Sequence, residues 1–177
     1  MIHFTKINLN ILKFIIIYIT LIAVFFTTIS FVPLQKVFDI NNIYSRFITV
    51  ISAKLINLIG IPAQYNDRFI ILPNITLKVV YGCNGIDAAI IYTVAVFAFP
   101  AQWKKKLYGI LLGSIAIQVI NIIRIVFLSY YANSGSYFKK YFDYVHLYAA
   151  QGLMIAISLG IFFIYLRYAQ NIKQNNT

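Results

Sequence analysis

The chain has 177 residues, of which 61% are hydrophobic and 11% are charged, and none is glutamate. Such a composition leaves too few charges to cover a soluble domain, so it indicates a membrane protein. The net charge of +11 does not favour nucleic-acid binding, because the basic residues are scattered between apolar stretches instead of gathered on one face. Anionic lipid headgroups explain the positive charge better.

The first apolar stretch, residues 14–32, carries no charge, follows Lys6 and Lys13, and ends before Pro33. Its length is enough to cross a bilayer. A cleaved signal peptide is the alternative, but its apolar core would be unusually long and no small-x-small cleavage site precedes Pro33. We therefore predict a membrane anchor.

Residues 34–80 are too polar to span, so we expect an extracytoplasmic segment. Asn41 and Asn42 are predicted to cap a helix. Its apolar residues recur at three- and four-residue intervals, which predicts an amphipathic helix lying at the membrane surface; they are Ile43, Phe47, Ile51, Leu55 and Leu58.

The end of this segment is rich in β-branched and aromatic residues. Residues 68–72 and 75–81 have the composition of strands, and Pro73-Asn74 between them is a turn signal. We predict a small β-hairpin on the outer side of the membrane.

Three further apolar segments, residues 86–101, 107–131 and 147–166, complete a predicted all-α integral membrane protein. It has about four transmembrane helices in one bundle and one domain covering residues 1–177. Three adjacent lysines, Lys104 to Lys106, mark a cytoplasmic turn, which puts both termini in the cytoplasm. Gly109-x-x-x-Gly113 favours close helix packing in lipid.

The one cysteine, Cys83, lies between Gly82 and Gly85, where the backbone can adopt turn conformations closed to other residues. If a helix begins at Ile86, its N-terminal amides lie beside the thiol. They would lower the pKa of Cys83 and stabilise an oxyanion. The alternative is that Cys83 is a small buried hydrophobe.

The predicted topology brings three chemically reactive side chains to the outer rim of the bundle. Cys83 precedes the second span, His146 precedes the fourth, and Arg124 lies about 10 Å below the outer end of the third at 1.5 Å per residue. Each of these residues also has a non-catalytic explanation. For example, Arg124 could extend its side chain to the membrane interface or pair with a phospholipid. Asn121 and Gln151 are expected to support the site or to link helices through hydrogen bonds.

Together these groups suit nucleophilic catalysis. Arg124 would stabilise a Cys83 thiolate or an oxyanion, two roles that the sequence leaves open, and His146 would transfer protons. We interpret Asp87 primarily as a favourable negative charge at a helix N-terminus. The second interpretation is that it orients His146, a role for which Asp143 is an equal candidate.

The chain resembles the exosortase/archaeosortase family of membrane-embedded cysteine transpeptidases, and it is similar to the small H-type exosortases. The resemblance covers roughly residues 79–166. It is carried by Tyr81-Gly82-Cys83-Asn84-Gly85-Ile86-Asp87, Phe99-Pro100-Ala101, Gly109-x-x-x-Gly113, Ala116-Ile117-Gln118-x-x-Asn121-x-x-Arg124-Ile125 and His146-x-Tyr148-x-x-Gln151.

The resemblance implies that Cys83, Arg124 and His146 are catalytic, and we add Asn84, Asp87, Asn121 and Gln151 as supporting residues. It also implies that the substrates are exported proteins with a C-terminal tail made of a short motif, an apolar helix and a basic cluster. The enzyme would cleave the tail through a thioester on Cys83 and transfer the protein to a cell-surface acceptor, from the cytoplasmic (inner) membrane with its active site facing outward.

We expect no cofactor and no metal, since one Cys and two distant His residues do not make a ligand set. The alternative function is a non-enzymatic membrane protein, a transporter subunit or assembly factor, in which Arg124, Asn121 and Gln151 form a structural polar seam. Lipid modification of Cys83 is disfavoured if the thiol faces outward, because palmitoylation is usually cytoplasmic.

Overall fold

The computed structural model describes residues 4–30, 40–80, 82–134 and 150–174. In these ranges the elements are α1 (Phe4–Ser30), α2 (Ile40–Leu58), β1 (Gln64–Asn66), β2 (Phe69–Ile71), β3 (Thr76–Lys78), α3 (Ile86–Ala98), α4 (Trp103–Ser134) and α5 (Ala150–Gln174). The protein is a mainly helical integral membrane protein with a small sheet, which confirms the predicted fold class.

Of the described helices, three are long and apolar enough to cross a bilayer. Their apolar segments are Ile11–Thr28 in α1, Trp103–Asn133 in α4 and Gln151–Ala169 in α5. Residues 147–149, at the start of the predicted fourth span, lie outside the described ranges.

The predicted second span, residues 86–101, corresponds to a shorter helix. α3 has 13 residues, which at 1.5 Å per residue gives about 20 Å against roughly 30 Å of hydrocarbon. It ends at Ala98 because Phe99 is extended, the conformation that a following proline favours. α3 packs against α1, α4 and α5.

The core of the bundle lies where α3, α4 and α5 meet. Buried residues of α3 pack with Ile117 of α4 and with Met154, Phe162 and Tyr165 of α5. The ring of Tyr92 lies on Gly113, and its hydroxyl donates a hydrogen bond of 2.7 Å to the carbonyl oxygen of Gly109. The two glycines of α4 therefore admit aromatic rings from its neighbours.

α2 has two contrasting faces. The predicted apolar stripe is largely exposed, with Ile43, Phe47 and Leu58 on the surface. The side packed against α4 and the sheet instead carries small and polar residues together with Ile48 and Ile56. An exposed apolar stripe suits a helix at a lipid surface. α2 begins at Ile40, so the predicted caps, Asn41 and Asn42, lie inside its first turn.

The sheet contains the predicted hairpin and one strand more. β2 pairs with β3 in antiparallel register, Ile70 opposite Leu77, around the predicted turn at Pro73-Asn74. β1 adds to the other edge of β2 after a turn at Asp67, whose φ of 53° is left-handed. Arg46 of α2 forms an ion pair with Asp67, which ties the sheet to that helix.

The two ends of the bundle differ in character. At one, which we call the lysine end, Lys106 donates a hydrogen bond of 2.6 Å to the carbonyl oxygen of Phe97 and so caps the C-terminus of α3. At the other, the sheet end, the side-chain amide of Asn74 donates a hydrogen bond of 2.9 Å to the carbonyl oxygen of Asn133. This bond fastens the hairpin turn to the C-terminal end of α4.

We predict that Gly113→Ala destabilises the bundle by about 1–3 kcal/mol, the usual effect of overfilling a packed core. A Cβ atom at Gly113 would overlap the buried ring of Tyr92, which its hydrogen bond holds in place. The matched control is Gly160→Ala, because a Cβ atom there meets open space. Thermal unfolding in detergent should show a lower midpoint for Gly113→Ala alone, and equal midpoints would contradict the packing described here.

Candidate active site

The loop of residues 82–85 turns the chain sharply into α3. Gly82 and Gly85 have φ angles of 86° and 76°, the left-handed conformations that the flanking glycines predict. The backbone N–H of Cys83 donates to the carbonyl oxygen of Val80 at 2.9 Å. Gly85 is the N-cap residue of α3, so Cys83 lies just ahead of the helix N-terminus, as predicted. The cysteine is buried, with 3% of its surface exposed.

α4 lines this loop with polar side chains at three-residue intervals. Arg124 donates a hydrogen bond of 2.9 Å from Nη2 to the carbonyl oxygen of Cys83. Gln118 donates one of 3.1 Å from Nε2 to the carbonyl oxygen of Gly85. Gln118 and Arg124, six residues apart on α4, thus hold the loop on both sides of Asn84.

Asn121 lies between these two residues, against Gly85. A Cβ atom at position 85 would be 2.7 Å from Cγ of Asn121, closer than real contacts allow. Gly85 is therefore required both for its left-handed backbone and for the space that Asn121 occupies.

α2 holds Asn84 from the opposite side of the loop. The side-chain nitrogen of Asn84 donates to Oδ1 of Asn41 at 2.7 Å and to Oγ of Ser45 at 3.0 Å. Its Oδ1 accepts a bond of 3.1 Å from the backbone N–H of Ile86, the first residue of α3. Asn41, Ser45 and Gln118 were not predicted as site residues. Polar residues one helical turn apart on α2, and the regular spacing on α4, were the available signals.

α5 contributes Gln151, whose side-chain amide packs on Gly82. Its Nε2 would lie 3.4 Å from a Cβ atom at position 82, an ordinary van der Waals contact. Gln151 therefore lies against the loop next to Cys83.

The thiol and the guanidinium are in direct contact. The guanidinium of Arg124 donates a hydrogen bond to the sulfur of Cys83. Burial raises the pKa of Cys83 above its ordinary value, and the charge and hydrogen bond of Arg124 offset this only in part. The expected lowering of this pKa is therefore wrong for the resting protein, because removal of the thiolate from water outweighs the attraction of the cation.

The structure brings five of the predicted site residues together: Cys83, Asn84, Asn121, Arg124 and Gln151. Asp87 is half-buried in the first turn of α3. A carboxylate there interacts favourably with the partial positive charge of the helix N-terminus. His146 and Asp143 lie outside the described residues.

Residues 16–165 match the family model of the transmembrane exosortases. The chain belongs to this family. No curated protein and no solved structure matches it. As an exosortase the chain is a multi-pass membrane protein with the general role of a membrane transpeptidase. The loop of Cys83, its partners on α2 and α4, and Gln151 all fall within the matched residues.

We predict that Arg124→Met raises the pKa of Cys83 further, because it removes the positive charge that lowers this pKa. Alkylation of the exosortase by iodoacetamide should then need a higher pH, and its rate near pH 8 should fall severalfold, since only the thiolate reacts. The single cysteine makes the signal unambiguous. Arg167→Met, at an exposed position of α5, should leave the profile unchanged. An unshifted profile for Arg124→Met would show that the guanidinium does not act on the thiol.

Proposed function

We propose that this exosortase is a cysteine transpeptidase that cleaves the C-terminal tail of exported proteins through a thioester on Cys83. The observation that carries the proposal is the contact of Arg124 with both the carbonyl oxygen and the sulfur of Cys83, in a loop that opens a helix. A buried cation next to a thiol stabilises negative charge on the sulfur and near it.

Because its pKa is raised, the thiol of Cys83 is protonated before it attacks the substrate. A neutral thiol must lose its proton as it attacks, so the reaction needs a base close to the sulfur. His146 fills that role in the proposal. Gln151 packs on Gly82, and five residues of chain, at most about 18 Å when extended, separate His146 from Gln151.

The proposed reaction has two halves. In the first, His146 takes the proton of Cys83, the sulfur attacks a backbone carbonyl carbon, and the tetrahedral intermediate expels the amine of the tail, which takes the proton from His146. In the second, His146 deprotonates a nucleophile from a cell-surface acceptor, or water, which attacks the thioester carbonyl. The sulfur leaves and takes the proton back, which restores the thiol.

The proposed orientation puts the sheet end outside the cytoplasmic (inner) membrane. Lys104 to Lys106 then lie at the cytoplasmic face, as the positive-inside rule favours, and both termini are cytoplasmic. The lysine end suits anionic lipid headgroups. Cys83 and the sheet face the compartment through which exported proteins pass.

The alternative, a structural polar seam without catalysis, expects polar residues to join helix to helix. Gln118 and Arg124 instead donate to carbonyl oxygens of the loop that holds the thiol. Asn84, too, is held by side chains of α2. Hydrogen bonds directed at one loop favour a site over a seam.

An apolar groove lies beside the loop, and we propose that the membrane helix of a substrate tail packs over it. The groove starts at Ile86, three residues after Cys83, and follows α3 as far as Val94, with Phe25 of α1 on its other side. A tail whose helix lies here would place the preceding residues near the sulfur. The groove is lined by Phe25, Ile86, Ala89, Ile90, Thr93 and Val94.

We predict that Cys83→Ala, Arg124→Ala and His146→Ala each abolish tail removal while the exosortase is still made. The assay co-expresses each variant with a protein of the same genome that has a motif, helix and basic tail, and follows its mass. The control is His3→Ala, which changes the other histidine and should process normally. Normal processing by Cys83→Ala would refute the enzymatic proposal.

We predict that Ile90→Trp lowers processing by about tenfold, equivalent to roughly 1.4 kcal/mol of lost substrate affinity, because the indole fills the groove. The control is Ile115→Trp, an exposed position on α4. Alkylation of Cys83 should be equal in both variants, which would show that the loop is intact. Equal processing by both would mean that substrate does not use the groove.

A further inference from the structure

Asn121 is buried completely, with 0% of its surface exposed, in the middle of the polar row of α4. Within the part of the chain that the structure describes, neither its side-chain nitrogen nor its side-chain oxygen has a hydrogen-bond partner. Buried amide groups in proteins are nearly always paired, so an amide with both groups unpaired calls for a reason.

The neighbours of Asn121 show where its amide is directed. Gln118 and Arg124, one turn to either side, donate to the carbonyl oxygens of Gly85 and Cys83. Asn121 lies between them against Gly85, in the space that a side chain at position 85 would fill. Its amide therefore faces the loop that carries Cys83 but makes no hydrogen bond to that loop.

Gln118 and Arg124 each already donate a hydrogen bond to the loop, although Oε1 of Gln118 is also unpaired within the described residues. Arg124 is engaged with the carbonyl oxygen and the sulfur of Cys83, and Gln118 fastens the start of α3. Asn121 is left as a donor and acceptor that the fold does not use. The side-chain amide of asparagine has one N–H donor group and one carbonyl acceptor, so it can pair with the carbonyl oxygen and the N–H of a peptide backbone.

We propose that Asn121 binds the scissile peptide group of the substrate: Nδ2 donates to the carbonyl oxygen that Cys83 attacks, and Oδ1 accepts from a neighbouring peptide N–H. This inference rests on the proposed function. The carbonyl oxygen becomes negative as the carbon–sulfur bond forms, so the donated bond strengthens in the transition state. Asn121 is covered by the loop in this structure, so the proposal includes a shift of the loop at Gly85 that lets the peptide reach the amide.

If Asn121 binds the substrate, its replacement by leucine should lower activity without lowering the stability of the protein. Asn121→Leu keeps the shape of the side chain and removes both unpaired groups. An apolar replacement of unpaired polar groups is neutral or stabilising, whereas loss of a formed hydrogen bond destabilises. The matched variant is Gln118→Leu, which removes a formed bond to Gly85 on the same face of α4.

The test uses the full-length exosortase in three measurements: the thermal midpoint in detergent, the rate of Cys83 alkylation by iodoacetamide, and processing of a co-expressed tailed protein. For Asn121→Leu we expect a midpoint equal to or above wild type, alkylation within twofold of wild type, and processing lower by about 100-fold, the usual effect of losing one oxyanion donor. For Gln118→Leu we expect a lower midpoint.

Two results would overturn the role of Asn121 and leave the proposed function standing: processing by Asn121→Leu within a fewfold of wild type, or a midpoint that falls as far as that of Gln118→Leu. If wild type and Cys83→Ala leave the tail equally intact, the proposed function fails and this inference fails with it.

Discussion

The contact between Arg124 and the Cys83 loop is the interaction on which the rest of the described structure depends. A guanidinium within a membrane-spanning helix is costly unless it finds a partner. Arg124 is only 9% exposed, and it meets this demand with a backbone carbonyl and a sulfur from another segment of the chain. Its side chain reaches them because Gly82 and Gly85 let the loop turn tightly at the start of α3. The contacts of Arg124 with the loop therefore hold the thiol of Cys83 next to the N-terminus of α3.

Burial gives this arrangement its chemical character. The same packing that brings Arg124 to the sulfur also removes water from it, and for Cys83 the second effect is the larger. The resting site therefore keeps a neutral thiol beside a permanent cation. In the proposed reaction, deprotonation then coincides with attack, and the cation acts most strongly on charge that develops during the reaction. A buried, protonated thiol is also a poor target for adventitious reagents.

The scaffold around the loop divides into a membrane part and a cap. In the membrane part, the short helix α3 packs against α1, α4 and α5, and glycines of α4 admit the rings of Tyr92 and Tyr165. In the cap, α2 and the sheet share a buried cluster with Ile125 of α4. Asn84 is where the two parts meet, since its side chain bonds both α2 and the first residue of α3. The segment before Cys83 is thereby part of the site's wall and holds the loop in place.

The sequence by itself determined the membrane class, the start of α3 at Ile86, the hairpin around Pro73-Asn74, and the topology that delivers Arg124 to the loop of Cys83. These features follow from apolar run length, turn chemistry and helical rise, which are local properties of the chain. Only the tertiary structure decided that α3 is short, that Asn41 and Ser45 hold Asn84, that Gln118 fastens Gly85, and that burial raises the pKa of Cys83. Each of these depends on which atoms from distant segments exclude water or supply a hydrogen bond, and no local pattern in a single chain encodes that choice.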